Sequence, residues 1–376
     1  MKSSIDGFRI ACVSDIHLGN KRNRTSDIIE ALEQEFPDNE ETGKIDLLVL
    51  AGDVFDRLLN LPEDDVVEID LWIVGLLQLC SKWNIALRVL EGTPSHDWMQ
   101  SQRFESIRKI KNIKLDFEYV KTLSIEYMEK FGIHVLYVPD EWDVTTDRTL
   151  KQVHELMEAR HLTQVDYAFM HGNFEYQLPA HLKKIQRHSS EEYLKIVKHY
   201  IFIGHIHIHS SFDRIIAQGS FDRLSHGEEG PKGHVRAIVT EDERRFFFIK
   251  NKKARIYKTI ECKDIDLENT FASIKKILDK IPDDSCIRIK ADSNHPILAN
   301  INQLIAMYPG LVWSKLAVSK EAEEQLQEDE DEPVNSAITI TKSNIIPLLM
   351  DRMINSKYDS ALINRSEKLL SNIING

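Results

Sequence analysis

Apolar residues in the first half of the chain come in short unbroken runs separated by helical stripes. Phe8 to Ser14 (FRIACVS), Asp46 to Ala51 (DLLVLA), Ala86 to Leu90, Ile133 to Val138, Tyr167 to Met170 and Tyr200 to Ile203 are rich in β-branched and large apolar side chains. That composition predicts strands buried on both faces. Between them, Thr25-Ser26-Asp27 starts a helix carrying Ile28, Ile29 and Leu32, and Val66 to Trp83 reads as a core helix. Strands alternating with helices predict an α/β sheet with helices on its faces. After His207 the helices disappear. Ser211 to Ala217, Val235 to Val239, Arg245 to Ile249 and Arg255 to Ile260 follow closely, which predicts a mainly antiparallel second layer. Two packed sheets in a four-layer α/β/β/α sandwich are expected.

The pattern changes again beyond residue 262. Leu267 to Ile281 and Ile297 to Met307 read as helices, and Cys286 to Ala291 and Leu311 to Leu316 as strands, making a small α/β unit over 263–318. Residues 319–334 hold eight acidic residues and one lysine. Like charges repel and little apolar surface can be buried there, so this stretch reads as a solvated linker. In 335–376, Ser343 to Ile354 and Ser360 to Ile374 have the stripes of two amphipathic helices. The body of the chain is then 1–262.

Charge changes the picture little. The net charge is −12, of which the linker contributes −7. The remaining −5 weakens a nucleic-acid reading without excluding it, because local basic patches matter more than the total. Four scattered cysteines, with no CxxC spacing, suit a reduced intracellular setting. The first residues have no apolar stretch resembling a secretory leader. Val66 to Trp83 contains Glu68, Asp70 and Lys82, so it is not a membrane span. A cytoplasmic protein is expected.

The candidate chemistry lies where strands should end. Five segments are rich in carboxylates and histidines: Asp15-Ile16-His17, Gly52-Asp53-Val54-Phe55-Asp56, Ser95-His96-Asp97, Met170-His171-Gly172 and Gly204-His205-Ile206-His207. In α/β sheets functional groups gather at strand ends. Hard oxygen and imidazole donors from several strands, with one carboxylate able to bridge, are what two cations require. A turn after Gly204 would aim His205 and His207 at different ions. Asp56 reads as a cap of the following helix, and His209 as an extra residue of the His-rich segment.

In this order the segments resemble the calcineurin-like metallophosphoesterases, with the pattern DxH, GDxxD, GNH(D/E), a lone H and GHxH. The likeness covers roughly residues 8 to 260. Within that family the chain is most similar to the SbcD-type DNA double-strand-break nucleases, particularly the recombination endonuclease subunits of tailed phages. Ile216-Ala217-Gln218-Gly219-Ser220, the small α/β unit and the tail carry this finer likeness. The resemblance implies that Asp15, His17, Asp53 and His207 hold one cation, that Asp53 bridges to a second held by His171 and His205, and that His96 is the acid beside the leaving group. Manganese is the implied ion, with magnesium possible; the donors also suit iron or zinc. One departure stands out: Ser95 replaces the asparagine of GNH(D/E), within a longer loop. Either the second cation binds weakly or Ser95, Asp97 or water fills in, with Ser95 kept as the candidate ligand.

The implied reaction is two-metal hydrolysis of DNA phosphodiesters, by exo- and endonuclease action, in recombination, repair and replication. Residues 263–318 would then be a DNA-binding cap. Lys21, Arg22 and Arg24 follow the first motif and could hold phosphates, as could the Lys183, Lys184, Arg187 and His188 stretch. The tail would grip an SbcC-type coiled-coil ATPase, and the chain would form a homodimer. If phage-encoded, it would work in the host cytoplasm. Two other readings fit less of the chain. A phosphomonoesterase or protein phosphatase is suggested by Gly52-Asp53-Val54-Phe55-Asp56-Arg57, although Leu58 breaks the likeness to GDxVDRG. A catalytically weak scaffold for DNA and the ATPase is suggested by Ser95.

Overall fold

The computed structural model describes residues 7–61, 63–140, 145–179 and 185–318. The linker and tail expected over 319–376 lie outside the described residues. In chain order the elements begin with β1 (Phe8–Val13), α1 (Thr25–Glu35), α2 (Glu40–Gly43), β2 (Leu47–Ala51), α3 (Asp64–Trp83), β3 (Ala86–Leu90), α4 (Pro94–Asp97), α5 (Gln102–Ile110) and β4 (Phe117–Val120). Then come β5 (Ser124–Met128), β6 (Ile133–Val138), α6 (Thr146–Glu158), β7 (Tyr167–Gly172), α7 (Ser190–Ile196), β8 (Ile201–His205), β9 (Ser210–Phe212), β10 (Ile215–Ala217), β11 (Gly233–Val239) and β12 (Arg244–Lys250). The last are β13 (Tyr257–Cys262), α8 (Leu267–Leu278), β14 (Cys286–Asp292), α9 (Pro296–Met307) and β15 (Val312–Val318).

Two six-stranded sheets pack face to face, with helices outside both, giving the expected α/β/β/α order of layers. In the first, β1 to β4 run parallel in chain order, and β11 and β12 extend it antiparallel beyond β1. In the second, β6, β7, β8 and β10 are parallel, with antiparallel edges β5 and β9. Ile10, Cys12, Leu47 and Val49 of the first sheet meet Tyr137, Phe169 and Phe202 of the second in a dry layer. The alternate residues Ala11, Val13, Leu48 and Leu50 face the outer helices, where Ile69, Ile73 and Leu77 of α3 cover them. Period-two alternation with both faces apolar explains why these strands read as unbroken runs.

The region after His207 differs from expectation. Its strands do not form one antiparallel layer. Ser211 to Ala217 is a hairpin: Asp213 adopts φ 50° and reverses the chain, so that Phe212 pairs with Ile215. β10 then joins the second sheet, and β11 and β12 join the first. The strand expected over Arg255 to Ile260 belongs to neither. As β13 it opens a three-stranded parallel sheet with β14 and β15, whose core with α8 and α9 contains Ile260, Ile274, Ile289, Ile297 and Leu304. Strands β4 and β5 carry glutamates and so escape a search for apolar runs. Glu126 of β5 closes a salt bridge with the buried Arg88 at 2.6 Å, which satisfies a charge inside the sheet. Among the described residues no helix is long and apolar enough to cross a membrane.

Candidate metal centre

The ends of β1, β2, β7 and β8 converge, and the backbone there departs from ordinary strand geometry. Asp15, His17, Asp53 and His205 take φ values of 51°, 56°, 50° and 96°. Left-handed backbone is costly for side chains other than glycine and is characteristic of functional turns. Gly52 (φ 83°) precedes Asp53, and a Cβ there would fall 2.2 Å from His171 Nδ1. Only glycine leaves room for that ring.

The turns gather two sets of donors. Asp15, His17 and His207 offer ligand atoms within 4.8 Å of one another, and so do Asp53, His171 and His205. His17 Nε2 lies 3.3 Å from His207 Nε2, and His207 Nε2 lies 3.7 Å from Asp15 Oδ1. Asp53 faces both sets: Oδ1 is 3.3 Å from His171 Nε2, and Oδ2 is 3.9 Å from His17 Nε2. His205 and His207 thus go to different sets, as a turn after Gly204 requires.

The opposite ring nitrogens are anchored. His171 Nδ1 is 2.8 Å from the Ala51 carbonyl oxygen, and His207 Nδ1 is 3.2 Å from Glu228 Oε1. His17 Nδ1 is 3.1 Å from Asp56 Oδ1, an ion-pair contact without hydrogen-bond alignment. Such partners fix the tautomer and free the other nitrogen for a cation. Asp56 therefore does not cap the next helix, which starts at Asp64 behind Glu63; it holds His17 and accepts from Asn20 Nδ2 at 2.9 Å. His209 turns away, with Nδ1 2.8 Å from the Ala217 carbonyl oxygen and its ring stacked 4.0 Å from that of Phe248.

The electrostatics suit cations. Burial opposes ionisation of Asp53, but the charge and hydrogen bond of His171, with the charges of His17 and His96, hold its carboxyl well below the ordinary range. Burial likewise disfavours a charged His171, yet Asp53, Asp15 and Asp140 raise it well above a usual imidazole. Both shifts have one meaning: the carboxylates of this pocket favour positive charge beside them. These oxygen and imidazole donors fit a pair of divalent ions.

The loop after β3 carries the rest. Asp97 accepts from the backbone N–H groups of Gly92 (2.7 Å), Phe55 (2.9 Å) and Asp53 (3.1 Å), binding this loop to the Asp53 turn. His96 lies against His17, ring centres 4.8 Å apart, with Nδ1 2.8 Å from the Asp56 carbonyl oxygen. Ser95 is not brought into either set. It is exposed on α4, and its carbonyl accepts from the Trp98 indole at 3.0 Å. The hydroxyl that enters the site is that of Thr93: Oγ1 lies 3.2 Å from Asp53 Oδ2, 3.3 Å from His205 Nδ1 and 3.4 Å from His171 Nε2. Its place directly after Gly92, like the asparagine in GNH(D/E), is the signal that identifies it. Asp140, past the end of β6, also reaches this group, and no motif marks it.

A cleft of about 340 Å³ opens over the centre, lined by His17, Asn20, Lys21, Arg22, Asp56, Arg57, His96, His207, Leu224 and Ser225. Lys21 and Arg22 stand at its rim. Arg24 does not line it; its guanidinium pairs with Asp27 at 3.0 Å and Asp284 at 3.6 Å. Of the second basic stretch, Lys183 and Lys184 lie outside the described residues. His188 is buried, and desolvation lowers its pKa to about 4, so it carries no charge for a phosphate near neutral pH.

Comparison with known proteins gives one informative match. The profile of the family described as calcineurin-like phosphoesterase matches residues 8–209. No curated protein matches the chain. One solved crystal structure aligns over 64% of this chain and 99% of its own at 9% identity, with a TM-score of 0.38, too low to carry an argument. The profile spans every segment that supplies the two donor sets, over more than half of the sequence. The chain belongs to the calcineurin-like phosphoesterase family, and its coarse activity is that of a metal-dependent phosphoester hydrolase.

Proposed function

We propose that this chain is a DNA nuclease of the SbcD type, cleaving phosphodiesters with two divalent ions, manganese foremost. The observation that carries the reading is Asp53, with one oxygen turned to each donor set. Asp15, His17 and His207 would hold one ion, His171 and His205 the other, and Asp53 both. When bound, the ions would supply charge to the phosphoryl oxygens and lower the pKa of a water. His96, whose Nδ1–H donates to the Asp56 carbonyl, would in its doubly protonated form give the Nε2 proton to the departing sugar oxygen. Lys21 and Arg22 at the cleft rim would hold flanking phosphates.

The finer parts of the proposal rest on the sequence likeness. Residues 263–318 would cap the cleft and contact DNA, and residues 335–376 would bind an SbcC-type ATPase. A second copy of the chain would pair with the first, and Val67 and Leu71, exposed one turn apart on α3, offer apolar surface for it. The test is cleavage of linear duplex and single-stranded DNA in manganese, by the full chain and by a chain lacking 335–376, each with and without the ATPase. Metal-dependent DNA cleavage, with ATPase binding lost on truncation, is expected. Hydrolysis of a small phosphomonoester but of no DNA would overturn the nuclease assignment.

A further inference from the structure

The Asp53–His171–His205 set is short of oxygen donors and of negative charge. Asp53 is shared with the neighbouring set, and a neutral imidazole adds no charge. Thr93 Oγ1 lies 3.3 Å from His205 Nδ1 and 3.4 Å from His171 Nε2, the spacing of atoms around one ion, and 3.2 Å from Asp53 Oδ2, the oxygen that faces His17. A hydroxyl carries one proton, and the lone pairs of this oxygen turn towards the ring nitrogens of His171 and His205. The Thr93 backbone N–H also donates to Asp53 Oδ1 at 2.5 Å, which fixes the residue in place.

The Thr93 hydroxyl donates to Asp53 Oδ2 at 3.2 Å, and Asp140 is the other carboxylate beside it. β6 runs parallel to β7, pairing Val138 with Met170, so Asp140 emerges beside His171 at the same end of the sheet. It is half-buried, and its electrostatic neighbours are His171, His205, Asp53 and the Thr93 side chain. No lysine or arginine among the described residues forms a salt bridge with it. Two carboxylates near each other in a partly buried pocket repel, a cost that a cation removes.

We infer that the Thr93 hydroxyl is an oxygen ligand of the Asp53–His171–His205 site, and that Asp140, the other carboxylate beside it, positions it. A hydroxyl–carboxylate pair thereby stands where the resembled motif has an asparagine. The oxygen lone pairs turn to the ion, and the nearby charge of Asp140 balances it. This inference rests on the two-ion reading and completes it. Thr93 is the ligand and Asp140 the positioning residue.

The test is manganese uptake by the full chain, read from the electron paramagnetic resonance of free Mn²⁺ during titration, without any substrate. Wild type is expected to take up two equivalents. Thr93→Val and Asp140→Asn are each expected to weaken one equivalent at least tenfold and leave the other unchanged. The double variant should be no worse than the worse single one, since the pair acts as a unit. Thr93→Ser should restore tight uptake, and Ser95→Ala should match wild type. Thermal melting in chelator checks that each variant folds; Asp140→Asn keeps the side-chain shape for this reason. Two unchanged equivalents in both Thr93→Val and Asp140→Asn would overturn the inference, and so would a loss on Ser95→Ala. Uptake of fewer than two equivalents by wild type would overturn the two-ion reading itself, an outcome distinct from failure of the pair alone.

Discussion

Glu228 holds His207 at Nδ1, 3.2 Å away, while Nε2 of the same ring faces His17 at 3.3 Å. The other Glu228 oxygen accepts from the buried Lys232 ammonium at 2.9 Å. Burial opposes the Glu228 charge, but His207 and Lys232 together lower its pKa to about 2. One carboxylate therefore orients a candidate ligand and neutralises a buried cation.

Replacing Glu228 by Gln keeps the shape and removes the charge. Metal affinity of the Asp15–His17–His207 site should fall about 10- to 100-fold, the usual effect of losing such a partner. Lys232 would be left as an uncompensated buried charge, at a cost of roughly 3 kcal/mol. Competition with a fluorescent chelator reads the first effect and urea unfolding the second. Unaltered affinity would remove Glu228 from the centre.

Gly52→Ala should cost one metal site. The added Cβ would sit 2.2 Å from His171 Nδ1, and the position has φ 83°. Backbone strain of this kind is worth about 1–3 kcal/mol, and relief would push His171 off the Ala51 carbonyl. Metal analysis after dialysis should find one ion per chain in place of two. Retention of both would mean that the ring has room the packing does not suggest.

His96→Ala should separate binding from chemistry. The proposed proton donor is lost while both donor sets remain. DNA cleavage in manganese should fall about 10²- to 10⁴-fold, with metal uptake as in wild type. Single-turnover assays on linear duplex measure it; wild-type rates would exclude His96 as the acid.

Asp222 makes stability depend on pH. Burial raises its pKa to about 6, against hydrogen bonds from the Arg223 and Arg255 N–H groups that lower it. In the unfolded chain the group ionises near 3.8. Between these values the native state holds a proton that the unfolded state has lost. This contribution to stability therefore declines as pH rises from about 3.8 to about 6, by up to roughly 3 kcal/mol. Asp222→Asn should stabilise the protein above pH 6 and make little difference below pH 4. Urea melts at pH 4 and pH 7.5 test this, and an equal effect at both would refute it.

The sequence by itself determined the buried strands β1, β2, β3, β6, β7 and β8 and the order of the ligand-bearing turns, but not that β6, β7 and β8 belong to the second sheet. Runs such as Leu47–Ala51 are buried on both faces, and a strand of that kind shows its character locally. The DxH, GDxxD and GHxH segments were legible for a related reason: their donors lie two or three residues apart, within one turn. Only the tertiary structure decided matters that depend on distant neighbours. It gave β10 to the second sheet, β11 and β12 to the first, and β13 to a third, because strand pairing is chosen by the available edge. It turned Asp56 to His17, tied His207 to Glu228, placed Thr93 in the site in place of Ser95, and brought in Asp140 from the end of β6. A side chain's chemistry is written at its own position, whereas its direction and its partners are set by backbone turns and by residues tens to hundreds of positions away.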